Sequence, residues 1–209
     1  MGKLNLSQPL AIMVLGLPGA GKSFFANNFA NTFGAAEVNL DKIRWTLFTT
    51  HTYSNNENAM VDQVANLLTA EFLRTKQTFV LDGGCNSRRR RDAFTHIAEK
   101  AGFRVILVDV QTDTPTAKAR ATHRLAKNTG DQYKQSLSAT QFANFAKAYD
   151  IPKTSNKNVV VISGKHSARM QLRTVLKKII EIEKMPKPKE MKIVHKNNIR
   201  TAPEKNLIQ

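Results

Sequence analysis

The 209-residue chain has a single cysteine, Cys85. No intrachain disulfide is available, so stability has to come from a packed core, as in proteins of reducing compartments. Acidic residues are also scarce: 16 Asp and Glu stand against 32 Lys and Arg, a formal net charge of +16. That balance fits phosphate-rich partners such as nucleic acid, nucleotides or an anionic surface. No apolar run approaches the ~20 residues of a membrane helix. Lys3 and the apolar stretch Leu10–Leu15 imitate a secretion signal only weakly, because cleavage there would destroy the glycine-rich segment that follows. The expected location is cytoplasmic. The five histidines show no metal-ligand spacing, no internal repeat is present, and no histidine neighbours Cys85 in sequence to make it a nucleophile.

What is present is an alternation of short apolar runs with longer amphipathic segments. Strands are expected at Leu10–Leu15, Glu37–Leu40, Thr78–Asp82, Arg104–Val110 and Asn158–Ser163. Helical periodicity covers Lys22–Phe33, Lys42–Phe48, Asn55–Lys76, Arg88–Ala101, Pro115–Lys127, Thr140–Tyr149 and His166–Lys184. Ser54-Asn55-Asn56-Glu57 has the spacing of a capping box, with Ser54 as cap and Glu57 reaching back. Nearly all-apolar strands alternating with helices predict an α/β fold whose parallel sheet is covered on both faces. Residues 1–183 should form one domain. Residues 184–209 carry seven Lys or Arg, two Glu and three Pro without core periodicity, and read as a disordered basic tail.

Between the first strand and the first helix stands Gly16-Leu17-Pro18-Gly19-Ala20-Gly21-Lys22-Ser23, a phosphate-binding loop signature, also called Walker A. Its glycines let backbone N–H groups converge on phosphate oxygens, and the following helix presents its positive N-terminal end. Lys22 would reach the outer phosphates and the Ser23 hydroxyl would ligate Mg²⁺, so ATP and Mg²⁺ are the expected cofactors. No guanine-reading NKxD sequence follows the fourth strand, which disfavours a GTPase.

Phosphoryl transfer to a hydroxyl needs a base, a metal-organising carboxylate and positive charge around the transferring group. Asp41 lies at the carboxyl end of the second strand, on the ligand-binding rim of an open α/β sheet, and is the candidate base. Arg44, one helical turn on, shares its face. Asp82, ending the third strand, is the candidate second metal ligand beside Ser23. Arg120 and Arg124, four residues apart on one helical face, lead into the polar segment Asn128–Ser138. Together they look like part of a lid, spanning about 118–145, that closes over the triphosphate.

These pieces resemble the P-loop kinases that include phage polynucleotide kinase and the zeta toxins, an AAA-type ATP-binding group. The matching stretches are "GLPGAGKS", Asp41-x-x-Arg44, "VLDGGCNSRRRR" and Arg120-x-x-x-Arg124, together covering roughly residues 10–165. The resemblance implies a three-layer fold with a five-stranded parallel sheet and a helical lid. It implies ATP-dependent phosphorylation, with Asp41 as general base, Arg44 on the acceptor side, and Arg120 and Arg124 around the phosphates. Asn86 falls on the acceptor side as well, although Gly84-Cys85-Asn86 stands where those kinases carry a Thr-Asn pair. The acceptor is therefore expected to be a polynucleotide 5′-hydroxyl. The alternatives are a small molecule (nucleoside, sugar or sugar nucleotide) or, without catalysis, an ATP-dependent nucleic-acid-binding module.

The run Arg88-Arg89-Arg90-Arg91 opens a helix whose inward face is expected to be Ala93, Phe94, Ile97 and Ala98, which turns some of the four arginines to solvent. Cations at a helix N-terminus oppose its dipole. With the basic tail, the run is a candidate contact for acceptor phosphates or a nucleic-acid backbone. His166 is expected to begin the last helix, on the nucleotide-base side.

Overall fold

The computed structural model describes residues 6–123, 133, 135–153 and 157–184. Among them five strands form one all-parallel sheet: β1 (Leu10–Leu15), β2 (Ala36–Asn39), β3 (Phe79–Asp82), β4 (Arg104–Gln111) and β5 (Val159–Ser163), in the order β2-β3-β1-β4-β5. The helices among the described residues are α1 (Lys22–Phe33), α2 (Leu40–Leu47), α3 (Asn55–Thr75), α4 (Arg88–Lys100), α5 (Thr114–Thr122), α6 (Ala139–Lys147) and α7 (Ala168–Glu183). The expected α/β class, strand count and helix count therefore hold.

All six residues of β1 are buried, as a central strand covered on both faces requires. Its side chains divide by alternation. Leu10, Ile12 and Val14 pack with Phe25 and Phe29 of α1 and with Val175, Ile179 and Ile182 of α7. Ala11, Met13 and Leu15 face the opposite layer, with Val61 and Ala65 of α3 and Ala98 of α4. A small third cluster joins Ala117 and Ala121 of α5 to Phe142 of α6, with Leu17 of the glycine loop packed against it. Parallel register then brings the carboxyl ends together: Asp82 pairs with Val14 on one side and Asn39 on the other, and Leu15 pairs with Asp109. The loops that follow these strands share one rim of the sheet, where open α/β sheets bind ligands.

Local details depart from expectation. Leu40 begins α2 and does not end β2, because the Asn39 side chain accepts a 2.9 Å hydrogen bond from Lys42 N and caps the helix. Ser54 caps α3 through Glu57 N, but the Glu57 carboxylate does not reach back to Ser54; it is taken by Arg44, Thr52 and Tyr53. His166 lies in the turn before α7, which begins at Ala168. The inward face of α4 is also different: Arg91 and Ala98 are buried, Phe94 is half-buried, and Ala93 and Ile97 are exposed. The Arg91 guanidinium donates to the carbonyls of Cys85 (3.0 Å) and Asn86 (2.9 Å), so its polar head is satisfied beneath the helix start. Among the described residues no helix is long and apolar enough to cross a membrane.

Candidate active site

The glycine loop joins β1 to α1 and is wedged in place by backbone on two sides. Gly19 has φ +79°, and a Cβ there would strike the carbonyl of Ala117 on α5. Gly164, just after β5, lies so close under the loop that a Cβ would strike the carbonyl of Ala20. Thr112 Oγ1 donates to that same Ala20 carbonyl at 3.0 Å. Only residues without a side chain fit such approaches, so the loop's shape is set by its neighbours as well as by its own sequence. The Lys22 ammonium donates to the carbonyls of Gly16 (3.0 Å) and Leu17 (2.9 Å) and thereby stands across the loop's mouth.

Ser23 and Asp82 are both buried and meet directly, the Ser23 hydroxyl donating to Asp82 Oδ2. Asn39 Nδ2 donates to the same oxygen at 2.9 Å. Asn39 thus ties three parts together: it ends β2, caps α2 and holds the carboxylate that ends β3. Sequence reasoning passed over it, although an Asn immediately before a helix is a capping signal. Ser23 and Asp82 offer adjacent hard oxygen donors at the foot of the loop. That suits Mg²⁺, which takes one or two carboxylate or hydroxyl ligands and keeps its remaining places for phosphate and water. Among the described residues no group of three or more His, Cys, Asp or Glu could hold a metal ion.

A cleft of about 1160 Å³ opens over this rim. Lys22, Ser23, Asp41, Asp82, Arg120 and His166 all line it, so most of the expected site residues share one cavity. Its volume exceeds that of a typical small-ligand pocket and leaves room for a nucleotide and an acceptor side by side. Asp41 sits in the first turn of α2, half-buried. Arg120 is exposed on α5, with its guanidinium 3.4 Å from the Gly164 carbonyl. Arg124, and with it much of the expected 118–145 lid, lies outside the described residues, as do residues 185–209 of the tail.

Arg44 and Asn86, both expected on the acceptor side, line the cleft but have engagements within the protein as well. Arg44 is only 8% exposed. It pairs with Glu57, donates to Asn58 Oδ1 at 2.7 Å and lies 4.4 Å from the centre of the Tyr53 ring. Burial pushes the Glu57 carboxyl up, but hydrogen bonds from the Thr52 and Arg44 side chains and from the Thr52 backbone, together with the Arg44 charge, outweigh it and hold the group at about 2. Glu57 and Asn58 were invisible as Arg44 partners because Glu57 already satisfied a capping pattern. The Asn86 side chain exchanges two 3.4 Å contacts with the backbone of Gly16, so it braces the glycine loop. Of the arginine run, Arg91 is buried, Arg90 pairs with Asp62 at 2.8 Å while lining the cleft, and Arg88 pairs with Asp92 at 3.4 Å. Arg88, Arg89 and Arg90 are exposed, as expected for part of the run, and Arg91 alone of the four turns inward. Cys85 is buried, and desolvation pushes its thiol up to about 12, so it is a packed residue and no nucleophile at neutral pH.

A family model described as an AAA domain matches residues 11–152. No curated protein matches the sequence. Several solved structures share the fold. The Kti12 protein of Chaetomium thermophilum, solved with ADP-AlF3, superposes with a TM-score of 0.63 at 18% identity, over 82% of this chain and 97% of that one. A gluconokinase from Sinorhizobium meliloti 1021 gives 0.59 at 14% identity, over 84% and 94%. A chain of a Pnkp1/Rnl/Hen1 complex gives 0.50 at 20% identity, over 61% of this chain and 44% of that one. A nucleotide-binding loop on a five-stranded parallel sheet, inside a match over residues 11–152, places the chain in the AAA domain family, with the fold of the P-loop kinases.

Proposed function

We propose that the chain is an ATP- and Mg²⁺-dependent phosphotransferase that delivers the terminal phosphoryl group to a hydroxyl, with a polynucleotide 5′-hydroxyl as acceptor. The observation that carries this reading is that Asp41 lines the same cleft as Lys22, Ser23 and Asp82. A triphosphate-binding loop alone would serve an ATPase or a binding module. A further carboxylate lining the same cleft is what hydroxyl activation requires.

In this reading Lys22 leaves the loop carbonyls for the outer phosphates, and Ser23 and Asp82 would hold Mg²⁺, which would draw charge from the phosphate oxygens. Asp41 accepts the hydroxyl proton as the acceptor oxygen bonds to the terminal phosphorus, whose bond to the bridging oxygen breaks and releases ADP. Arg120, with Arg124, neutralises charge building on the transferring group. Asn86 acts by bracing the loop, and Arg44 by fixing the α2–α3 corner on which Asp41 stands.

Transfer from labelled ATP, followed by thin-layer separation against 5′-hydroxyl oligonucleotides, nucleosides and sugars, tests the reading. Label should move to the oligonucleotide and fail to move in Lys22→Ala. Hydrolysis without transfer to any acceptor overturns the phosphotransferase. Transfer to a nucleoside or sugar alone selects a small-molecule kinase. That second reading is favoured by one observation: the Arg44 charge is already committed to Glu57 and so is not spare for an acceptor phosphate.

A further inference from the structure

Trp45 is the chain's sole tryptophan, and it stands four residues after Asp41 on α2, so the two share one helical face. Its indole is 43% exposed. His51 stacks on it, with ring centres 4.7 Å apart and planes 30° from parallel. Tyr133 meets it edge-on at 6.4 Å, and the Lys42 ammonium lies 6.0 Å from the centre of that Tyr133 ring. His51 Nδ1 is buried with no hydrogen-bond partner, so among the described residues the ring is held by stacking and not by a polar bond at that nitrogen. None of the three aromatic residues belongs to the core clusters of the sheet or of the α5–α6 pair. The fold therefore gathers three rings and a cation one helical turn outward from Asp41, where packing does not call for them.

We propose that Trp45, backed by His51, is a stacking platform for a nucleobase beside the hydroxyl presented to Asp41, so that the acceptor is the end of a single strand of nucleic acid. Every base has a π-face, so an indole holds single strands with little regard to sequence. The cations on offer to a strand held there are Lys42, beside the Tyr133 ring, and Arg90 in the cleft, whose charge Asp62 shares. The net charge of +16 supplies the long-range attraction that such a strand needs. A sugar or other small acceptor buried in the cleft would have no use for rings outside it. The inference rests on the kinase reading of Asp41, but its test does not depend on turnover.

Because Trp45 is the only tryptophan, its emission, excited at the red edge where the three tyrosines do not absorb, reports on this position alone. The full-length protein is titrated at low salt, without ATP, with a short oligothymidylate and with an abasic strand of the same length. Oligothymidylate should quench the emission saturably; the abasic strand should compete for binding without comparable quenching. By the usual worth of one stacked base, Trp45→Ala should weaken oligothymidylate binding roughly 5- to 150-fold, measured by anisotropy of a labelled strand. Trp45→Phe should recover much of the loss, and neither change should alter ATP affinity. No quenching by oligothymidylate, equal quenching by both strands, or unchanged affinity in Trp45→Ala overturns the platform. A failed kinase reading looks different: base-dependent quenching with no label transferred to any hydroxyl.

Discussion

Ser23 Oγ donates a hydrogen bond to Asp82 Oδ2, joining the first turn of α1 to the end of a strand 59 residues later in the chain. Two oxygen donors that a magnesium ion would need are thus preassembled, and Asn39 fixes the carboxylate from a third element. Asp82→Asn keeps the size and hydrogen-bonding capacity of the residue but removes the charge. The expected outcome is a folded protein whose phosphotransfer needs roughly 10- to 100-fold more Mg²⁺ for half-maximal rate, the usual cost of disturbing a metal site's supporting groups. A magnesium titration of the initial rate checks this, and an unchanged midpoint removes Asp82 from the metal site.

Asp41 offers a sharper test, because it lines the cleft without being part of a packed core. Asp41→Asn should leave ATP affinity and melting temperature near those of the parent. Its turnover should fall by about 10²–10⁴, the range for loss of a positioned general base. Equilibrium ATP binding and single-turnover transfer, measured on the same preparation, separate the two effects. A loss below about threefold would rule out proton abstraction by Asp41 as a significant contribution.

The Arg44–Glu57 pair carries a pH signature with a definite sign. The folded-state carboxyl is held at about 2 against an ordinary value of 4.5, so its contribution to stability is complete above about 4.5 and is lost as pH falls toward 2. Glu57→Gln should therefore melt below the parent at neutral pH, and the gap should close between about pH 4.5 and 2. Arg44→Ala should also lower the melting temperature, because it strands the Glu57 carboxylate. An Arg44→Ala variant with parental melting temperature but a raised acceptor KM would instead return Arg44 to the acceptor side.

Arg91 and Arg89 are near neighbours in sequence with different burdens. Arg91 is 3% exposed and serves two carbonyls, whereas Arg89 is exposed. Arg91→Ala should destabilise by about 1–3 kcal/mol, the cost of orphaning buried acceptors, while Arg89→Ala stays within about 0.5 kcal/mol. Denaturant unfolding of the two variants decides this. If oligonucleotide binding depends on the run, its salt dependence should flatten in Arg89→Ala and remain unchanged in Arg91→Ala at temperatures where both are folded.

The elements that sequence reasoning located well are those specified by local chemistry. β1 is a run of six apolar residues ahead of a glycine loop, and α1 runs from Lys22 to Phe33 as its periodicity predicts. Boundaries shifted where a side chain intervened: Asn39 caps α2, so Leu40 belongs to the helix. The face of α4 was misjudged because an arginine was assumed to seek water. Arg91 instead finds the carbonyls of Cys85 and Asn86, which a hydropathy pattern has no means of registering.

Composition, spacing and alternation determined that the chain is an α/β protein with a parallel sheet, that a phosphate-loop signature follows the first strand, and that Asp82 ends a strand on the ligand rim with Asp41 just beyond the end of another. Each of these depends on residues close together in the chain, where backbone preference and periodicity act directly. Tertiary structure alone decided which groups those carboxylates and cations meet. Arg44 finds Glu57 from the next helix, Asn86 returns to Gly16, and Gly164 is pressed under Ala20 by the arrival of β5. Such meetings depend on strand order, and strand order is set by which layers of side chains can be buried together, a property of the whole chain and not of any segment.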